Sequence, residues 1–340
     1  MYNRYMYNNR YMYFYFVGFI IFFYYLYNKF FTIKEGIIFT KPYFLDKYKR
    51  DHITIDSKNY LLEKNGNIIN YKNINEYKLL NHKTLKNKSL VKKILEKNNI
   101  PVCNAYTWNK DISDKENLNN MNTLNLPLVV KPVSGEKGYG VKTDIMTSTE
   151  LLTYVNQLLT QQKNVLIEEQ AKGKEYRIMV LNDTIIGITM KSPPSVKGDG
   201  ENTLQQLIDH YNSKKTNEFK IHTIDDEYIK FQGYNTNTIL PLDKKVIITN
   251  VANMSNGSLV EYVDINNVHP DNITLFKKIN NILGLNLSGI DYICEDLSIP
   301  YYLDGYVIEV NNAPGIDIHY DVTPENKKDD LLDRILKNIF

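Results

Sequence analysis

Apolar and polar positions alternate with two different periods along this chain. From about Thr32 to Leu80, short apolar runs are broken by turn signals, as in His52-Ile-Thr-Ile-Asp56 and Tyr60-Leu-Leu-Glu-Lys-Asn-Gly-Asn-Ile-Ile-Asn-Tyr71. The Asn65-Gly66 pair between two such runs suits a type I′ hairpin. The period then becomes helical over Ser89–Asn98, where Leu90, Val91, Ile94 and Leu95 share one face and Pro101 follows just beyond. Ile100–Tyr106 reads as an extended strand and Asn109–Asn125 as a polar loop that leads into an apolar strand opening at Leu126. Beyond it, Ser148–Gln162 reads as a helix and Asn164–Gln170 as a strand ending in two carboxylates. Gly173–Leu181 and Ile185–Lys191 continue as antiparallel strands; Lys197–Gly200 is a tight turn and Thr203–Tyr211 a short amphipathic helix. Two late segments, Leu287–Cys294 and one beginning at Gly305, again read as strands. The pattern predicts a small β-rich region over 32–85 and a large domain over 86–333.

The first 31 residues form a separate object. Tyr11–Asn28 carries no charge and, as a helix, would extend roughly 27 Å, close to the hydrocarbon thickness of a bilayer. Tyrosines gather at both ends and phenylalanine and isoleucine in the middle, the order of aromatic belts around an apolar core. No small-residue cleavage site follows, which favours an uncleaved single-pass anchor over a signal peptide. Lys29, Lys34, Lys41, Lys47, Lys49 and Arg50 follow the stretch and outnumber Arg4 and Arg10 before it, so the large domain is expected on the cytosolic side. An aromatic-rich leader on a cytoplasmic protein is the alternative.

Composition narrows the partners. The 340 residues hold Lys+Arg 41 against Asp+Glu 39, a net charge of +2, so no overall field or basic stripe favours nucleic acid. Cys103 and Cys294 stand far apart, with no companion histidines at metal-ligand spacing, and read as ordinary buried thiols. The expected partners are small molecules, with self-association left open.

Candidate chemistry begins at Leu128–Val141, where an apolar strand delivers Lys131 and turns through Ser134, Gly135, Gly138 and Gly140. Such a loop is either a hairpin whose glycines supply positive φ or a cradle of bare backbone N–H groups for phosphate. Lys88 and Lys92, four apart on the first helix, are by the common fate of lysine solvated charges. Glu175 and Arg177 share a strand face by the period of two, and Lys191 ends the next strand. Asp291, with Glu309 and Asn311 two apart on one strand, offers oxygen ligands suited to Mg²⁺. Each residue alone has a structural explanation, such as a turn cap; their joint occurrence is the signal.

In order along the chain, Asn87-Lys88-x-x-Val-Lys92, Val129-Val-Lys-Pro, Ser134-Gly-x-x-Gly-x-Gly-Val, Ile167-Glu-Glu, Gly173-x-Glu-Tyr-Arg and Pro193-Pro-x-Val-x-Gly-Asp-Gly200 are followed by four more signatures. These are Asn253-Met-Ser, His269-Pro-Asp-Asn-Ile, Gly284-Leu-x-Leu-x-Gly-Ile-Asp291 and Glu309-Val-Asn-x-Ala-Pro-Gly315. From about Asn81 to Pro324 the chain resembles the ATP-grasp superfamily, and within it the ATP-grasp domain of cyanophycin synthetase and glutathione-synthetase-like ligases. The resemblance implies an α+β fold in which two subdomains grip ATP, with a glycine-loop lid subdomain over about 126–190. It implies that Lys131 contacts the α- and β-phosphates and that Lys88 adds charge. Glu168, with Glu169 after it, would meet the adenine, and Glu175 the ribose hydroxyls. Lys191 and Arg177 would face the terminal phosphate or the incoming acid, and Asp291, Glu309 and Asn311 would bind two Mg²⁺ ions, or Mn²⁺ in their place.

The implied reaction is amide-bond formation between amino-acid or short-peptide substrates through an acylphosphate. Two departures bear on it. A family arginine is missing around Thr249-Asn250, and Asp317 stands where the family has a cation after Ala-Pro-Gly. The carboxyl-terminal Mur-ligase-like part of cyanophycin synthetase has no counterpart up to Phe340, so complete cyanophycin synthesis is not expected. A non-catalytic ATP-binding scaffold with the same fold is the alternative.

Overall fold

The computed structural model describes residues 41–59, 61–70, 85–135, 138–161, 164–214, 220–249, 257–312 and 314–340. Within the chain, one compact unit comprises residues up to Ile74 with Gly315–Asp317 and Ile339–Phe340; the other comprises Asn75–Pro314 and Ile318–Asn338. The uncharged stretch 11–28, Asn250, Asn253-Met-Ser and residues 136–137 of the glycine loop lie outside the described residues. Among the described residues, no helix is long and apolar enough to cross a membrane.

The first unit is not purely β. Helix α1 (Pro42–Arg50) opens with proline at its first turn, closes on Lys47, Lys49 and Arg50, and buries Phe44 and Tyr48, four apart, in ring contact at 5.7 Å. Its four charged positions masked that spacing in the sequence pattern. The strands behave as expected: β1 (Thr54–Asp56), β2 (Leu61–Lys64) and β3 (Asn67–Asn70) form one antiparallel sheet. Asn65 and Gly66 turn β2 into β3 at φ 51 and 82, the two positive values a type I′ turn demands. In this unit, Asp317 accepts from the Tyr43 hydroxyl at 2.7 Å and pairs with Lys41 at 2.8 Å.

The second unit is α+β. Helix α2 (Lys88–Lys97) starts at Asn87, whose side chain accepts from the Leu90 N–H. Its buried face is Val91, Lys92 and Leu95, whereas Leu90, expected on that face, is exposed. The extended segment after it becomes paired only at β4 (Ala105–Trp108). The polar stretch that follows is not all loop: Ser113 caps α3 (Asp114–Asn120), a helix polar enough to escape a search for apolar periodicity. Strands β5 (Leu128–Pro132) and β6 (Lys142–Ile145), helix α4 (Ser148–Leu159) with its capping box at Thr147 and Glu150, and β7 (Val165–Glu169) complete the first layer. The four strands run in the order β4-β7-β5-β6, all antiparallel, and Leu128, Val130, Ile145, Leu151, Val155 and Ile167 fill the core beneath α4.

A second sheet holds β8 (Lys174–Leu181) and β9 (Thr184–Ser192) with three later strands. Between them and these come β10 (Ser195–Lys197), α5 (Leu204–Ser213), α6 (Asp226–Phe231) and β11 (Lys245–Ile247), which share a small core of their own around Leu204, Ile208 and Val246. Then β12 (Leu259–Val263), α7 (Pro270–Leu283), β13 (Leu287–Cys294) and β14 (Tyr306–Asn311) close the sheet in the order β12-β9-β8-β13-β14. Tyr176, Ile178, Val180, Ile188, Ile290 and Tyr292 point to the main core under α7. By the period of two, the residues between them form the opposite, polar face. Helices α8 (Asp317–Val322) and α9 (Glu325–Ile339) end the described chain.

Candidate active site

The register of the five-stranded sheet arranges the polar face in rows. Thr189 of β9 lies opposite Arg177 of β8, Arg177 opposite Asp291 of β13, and Asp291 opposite Glu309 of β14. One row along, Lys191 lies opposite Glu175; on the other side, Gly187, Met179, Gly289 and Asn311 form a parallel row. Residues that sit more than a hundred positions apart in sequence thus become cross-strand neighbours, within reach of one another's side chains. Asp291 Oδ1 pairs with Arg177 Nε at 2.8 Å and Lys191 Nζ at 3.1 Å, while Oδ2 accepts from the Asn311 amide at 3.0 Å. Lys191 also pairs with Glu175. Burial would raise the Asp291 carboxyl, but Arg177 and Lys191 outweigh it and hold the group below the usual carboxylate range. Burial pushes Glu175 upward, making it the less favoured partner of Lys191.

A second ionic group is built by the four-stranded sheet and α2. Val129 of β5 lies opposite Glu168 of β7, which puts Lys131, two positions on, diagonal to Glu168 on the same face. Glu168 Oε2 pairs with Lys131 at 2.5 Å and Oε1 with Lys92 at 2.7 Å, and Lys92 also donates to the Cys103 carbonyl at 2.9 Å. All three side chains are buried. Desolvation would raise Glu168, yet Lys131 and then Lys92 hold it below its ordinary value; desolvation would lower Lys131, and Glu168 holds it above. Lys92 is therefore not the solvated helix charge that its residue type suggests. Its place between Val91 and Leu95, four after Lys88, is the signal that could have marked it.

Lys88 ties the glycine loop to Glu309 in the five-stranded sheet. Its Nζ donates to the Gly135 carbonyl at 2.6 Å and pairs with Glu309 Oε1 at 3.1 Å. Other sequence-selected residues have more local tasks. Glu169 accepts from Asn104 and from the backbone and side chain of Asn125 at 2.8–2.9 Å, tying the segment before β5. Gly140, at φ 69, would place a Cβ 2.9 Å from Pro132 Cγ and 3.1 Å from Leu158 Cδ2, so its bareness serves packing as well as its left-handed backbone. Ser134 is exposed beside it.

The donor set fits a hard divalent cation: two carboxylates and an amide oxygen from adjacent strand positions suit Mg²⁺, which prefers few protein oxygens and completes its shell with phosphate and water. Among the described residues, no three His, Cys, Asp or Glu side chains cluster as a metal cage. A hard-cation position supplied by two carboxylates, beside buried lysines and a glycine loop, agrees with the resemblance to the ATP-grasp superfamily carried by the sequence motifs.

Residues 94–227 match the family described as D-ala D-ala ligase C-terminus. The cyanophycin synthetase of Synechocystis sp. is 28% identical over 241 residues, covering 67% of this chain and 27% of that protein. The glutathione biosynthesis bifunctional protein of Streptococcus agalactiae is 26% identical over 246 residues, covering 68% of this chain and 31% of that protein. The chain therefore spans roughly a quarter to a third of the length of these relatives. A bifunctional glutathione synthetase from Pasteurella multocida shares the fold with a TM-score of 0.60 at 20% identity, covering 86% of this chain and 43% of that one.

Proposed function

We propose that this chain is an ATP-dependent carboxylate–amine ligase that joins amino acids or short peptides. One observation carries the reading: Lys88, Lys92, Lys131, Arg177 and Lys191 converge with Glu168, Glu175, Asp291 and Glu309 in paired rows, although the strands that bear them are far apart in sequence. Phosphoryl transfer needs chiefly positioning and neutralised charge, and no protein nucleophile. Lys131, held charged by Glu168, takes the α- and β-phosphates, and Glu168 with the backbone after it borders the adenine. Glu175, released by Lys191, accepts from the ribose hydroxyls. Asp291, Glu309 and Asn311 would hold Mg²⁺, which when bound would supply charge compensation for the phosphates. Lys191 turns from its carboxylates to the terminal phosphate, with the Arg177 guanidinium beside it.

A substrate carboxylate oxygen then attacks the γ-phosphorus and ADP departs. An amine attacks the resulting acyl carbon, phosphate leaves, and the amine loses its proton as the amide forms. The loop of Ser134, Gly135, Gly138 and Gly140 keeps water from the acylphosphate. Tethering to a membrane through residues 11–28, with the domain in the cytosol, completes the proposal.

The test is ADP release by the full chain with Mg²⁺ and amino-acid mixtures, followed by product mass. Amino-acid-stimulated release with an amide product is expected, and Asp291→Asn should lower it by about two to three orders of magnitude, the worth of several kcal/mol. Intact nucleotide binding with no stimulation by any mixture would contradict the ligase reading and favour an ATP-binding scaffold.

A further inference from the structure

The row of Gly187, Met179, Gly289 and Asn311 contains two glycines in mid-strand, where glycine weakens a sheet and marks a close approach. Neither lies in the left-handed region of φ, so the backbone does not require them. Space does. A Cβ on Gly289 would come 2.8 Å from Arg177 Nη1 and 3.2 Å from its Cδ, with Pro314 Cβ also at 2.8 Å. A Cβ on Gly187 would come 2.9 Å from His319 Nδ1 and 3.2 Å from Cγ. His319 is 1% exposed, and neither ring nitrogen has a hydrogen-bond partner among the described residues.

We infer that Gly289 and Gly187 form a seat in the sheet: Arg177 lies over Gly289, His319 lies over Gly187 as an apolar-like wall, and the seated guanidinium fixes the orientation of Asp291. The chemistry of the pair supports this. A buried imidazole beside a guanidinium stays neutral, its pKa pressed down to about 3 by burial and then by Arg177, so it adds no second positive charge next to Arg177. Asp291 is the carboxylate that Arg177 meets. With Oδ1 committed to Arg177 and Lys191, the remaining oxygen, Oδ2, is the one turned to Asn311. Gly289, Gly187 and His319 are thus positioning residues that act through Arg177, and the seat decides which Asp291 oxygen faces the cation. This deepens the ligase reading, since it assigns how that site's metal carboxylate is aimed.

The experiment is a double-mutant cycle on the full chain, read by urea unfolding, with Gly289→Ala placed in the wild-type and Arg177→Ala backgrounds. The seat predicts that Gly289→Ala raises the unfolding constant at least roughly tenfold more in the wild-type background than beside Arg177→Ala, the size of coupling seen between residues in contact. A parallel cycle pairs Gly187→Ala with His319→Ala. Equal costs in both backgrounds would overturn the seat, because they would leave Pro314 or the strand itself as the cause. Should Gly289→Ala not fold, recovery of folding in the double variant supports the seat and no recovery overturns it. The second readout is Mn²⁺ binding in the presence of ADP, followed by electron paramagnetic resonance and corrected to the folded fraction. Gly289→Ala should weaken it about tenfold or more, on the scale of lost outer support to a metal ligand. Unchanged Mn²⁺ affinity in Gly289→Ala would also overturn the aiming role. A wild-type chain that binds neither ADP nor Mn²⁺ would sink the ligase reading while leaving the unfolding cycle to judge the seat.

Discussion

The two ionic groups of the second unit use the same residue types to opposite ends. In the four-stranded sheet, Glu168 spends one oxygen on Lys92 and the other on Lys131, and all three side chains are 9% exposed or less. In the five-stranded sheet, Asp291 and Glu175 compete for Lys191, while the Glu175 and Glu309 side chains remain 27% and 32% exposed. The first group is closed around Glu168: both of its oxygens have a fixed partner, and removing the carboxylate strands Lys92 and Lys131 in the interior, while the Lys131 ammonium spends one of its three donors on Glu168 and keeps the others for phosphate. The second shares its partners and reaches solvent at Glu175 and Glu309, while Asp291 and Lys191 are as buried as the first group, so a ligand that draws Lys191 from Glu175 leaves only the more exposed carboxylate behind. A site that must exchange partners during turnover is built from the second kind of group and held in place by the first.

The comparison is most exposed to failure at Glu168. Glu168→Ala should cost about 3–5 kcal/mol of folding stability, measured by urea unfolding, because it leaves two buried ammonium groups without their carboxylate. A loss under about 1 kcal/mol would mean that the triad opens to water and is not a closed group.

Acid sensitivity follows next in size. His319 titrates near 3 in the folded chain against an ordinary 6.5, so the folded state binds fewer protons than the unfolded state in between. Its contribution is fully present above pH 6.5 and is lost as pH falls toward 3. Of the charged groups near it, Arg177 disfavours its protonation, and Arg334 lines the same small cavity. Between pH 6.5 and 4.5 the loss should reach roughly 2–3 kcal/mol, at about 1.4 kcal/mol per unit. His319→Phe should flatten that part of the profile, leaving the steeper fall below 4.5, where Glu168, itself held below 4.5, begins to take up its proton. An unchanged slope in His319→Phe would place the acid sensitivity elsewhere.

At the small end, Glu309→Gln should alter stability by less than about 1 kcal/mol, because its pair with Lys88 is partly solvated. A loss comparable with that of Glu168→Ala would erase the distinction between the two groups.

Much of the frame was legible from periodicity. The hairpin at Asn65-Gly66, the helices after Asn87, Thr147 and Thr203, and the strands bearing Lys131, Glu168, Arg177, Lys191, Asp291 and Glu309 follow from caps, turn residues and the two apolar periods. Helix α3 escaped because its residues are almost all polar, and α1 because its two buried aromatics stand among lysines. The burial of Lys92 was hidden because its residue type argues for solvent, while its position argues for the core, and only the facing Glu168 decides between them. Registers between β8, β9, β13 and β14 are long-range, so the rows that join Arg177 to Asp291, and the bare places at Gly187 and Gly289, have no local signature. Asp317, which in sequence terms faced the substrate, is engaged by Lys41 and Tyr43.

The measurement that bears most directly on the central claim is the fate of carboxylate oxygen. The full chain would be incubated with ATP, Mg²⁺ and an amino-acid mixture labelled with ¹⁸O in its carboxylates, and the released phosphate analysed by mass. Transfer of one ¹⁸O atom into each phosphate, with an amide product and ADP, is the predicted result, because the attacking carboxylate oxygen leaves with the phosphoryl group. Unlabelled phosphate accompanying ADP release would contradict it, since water and not a carboxylate would then be the acceptor.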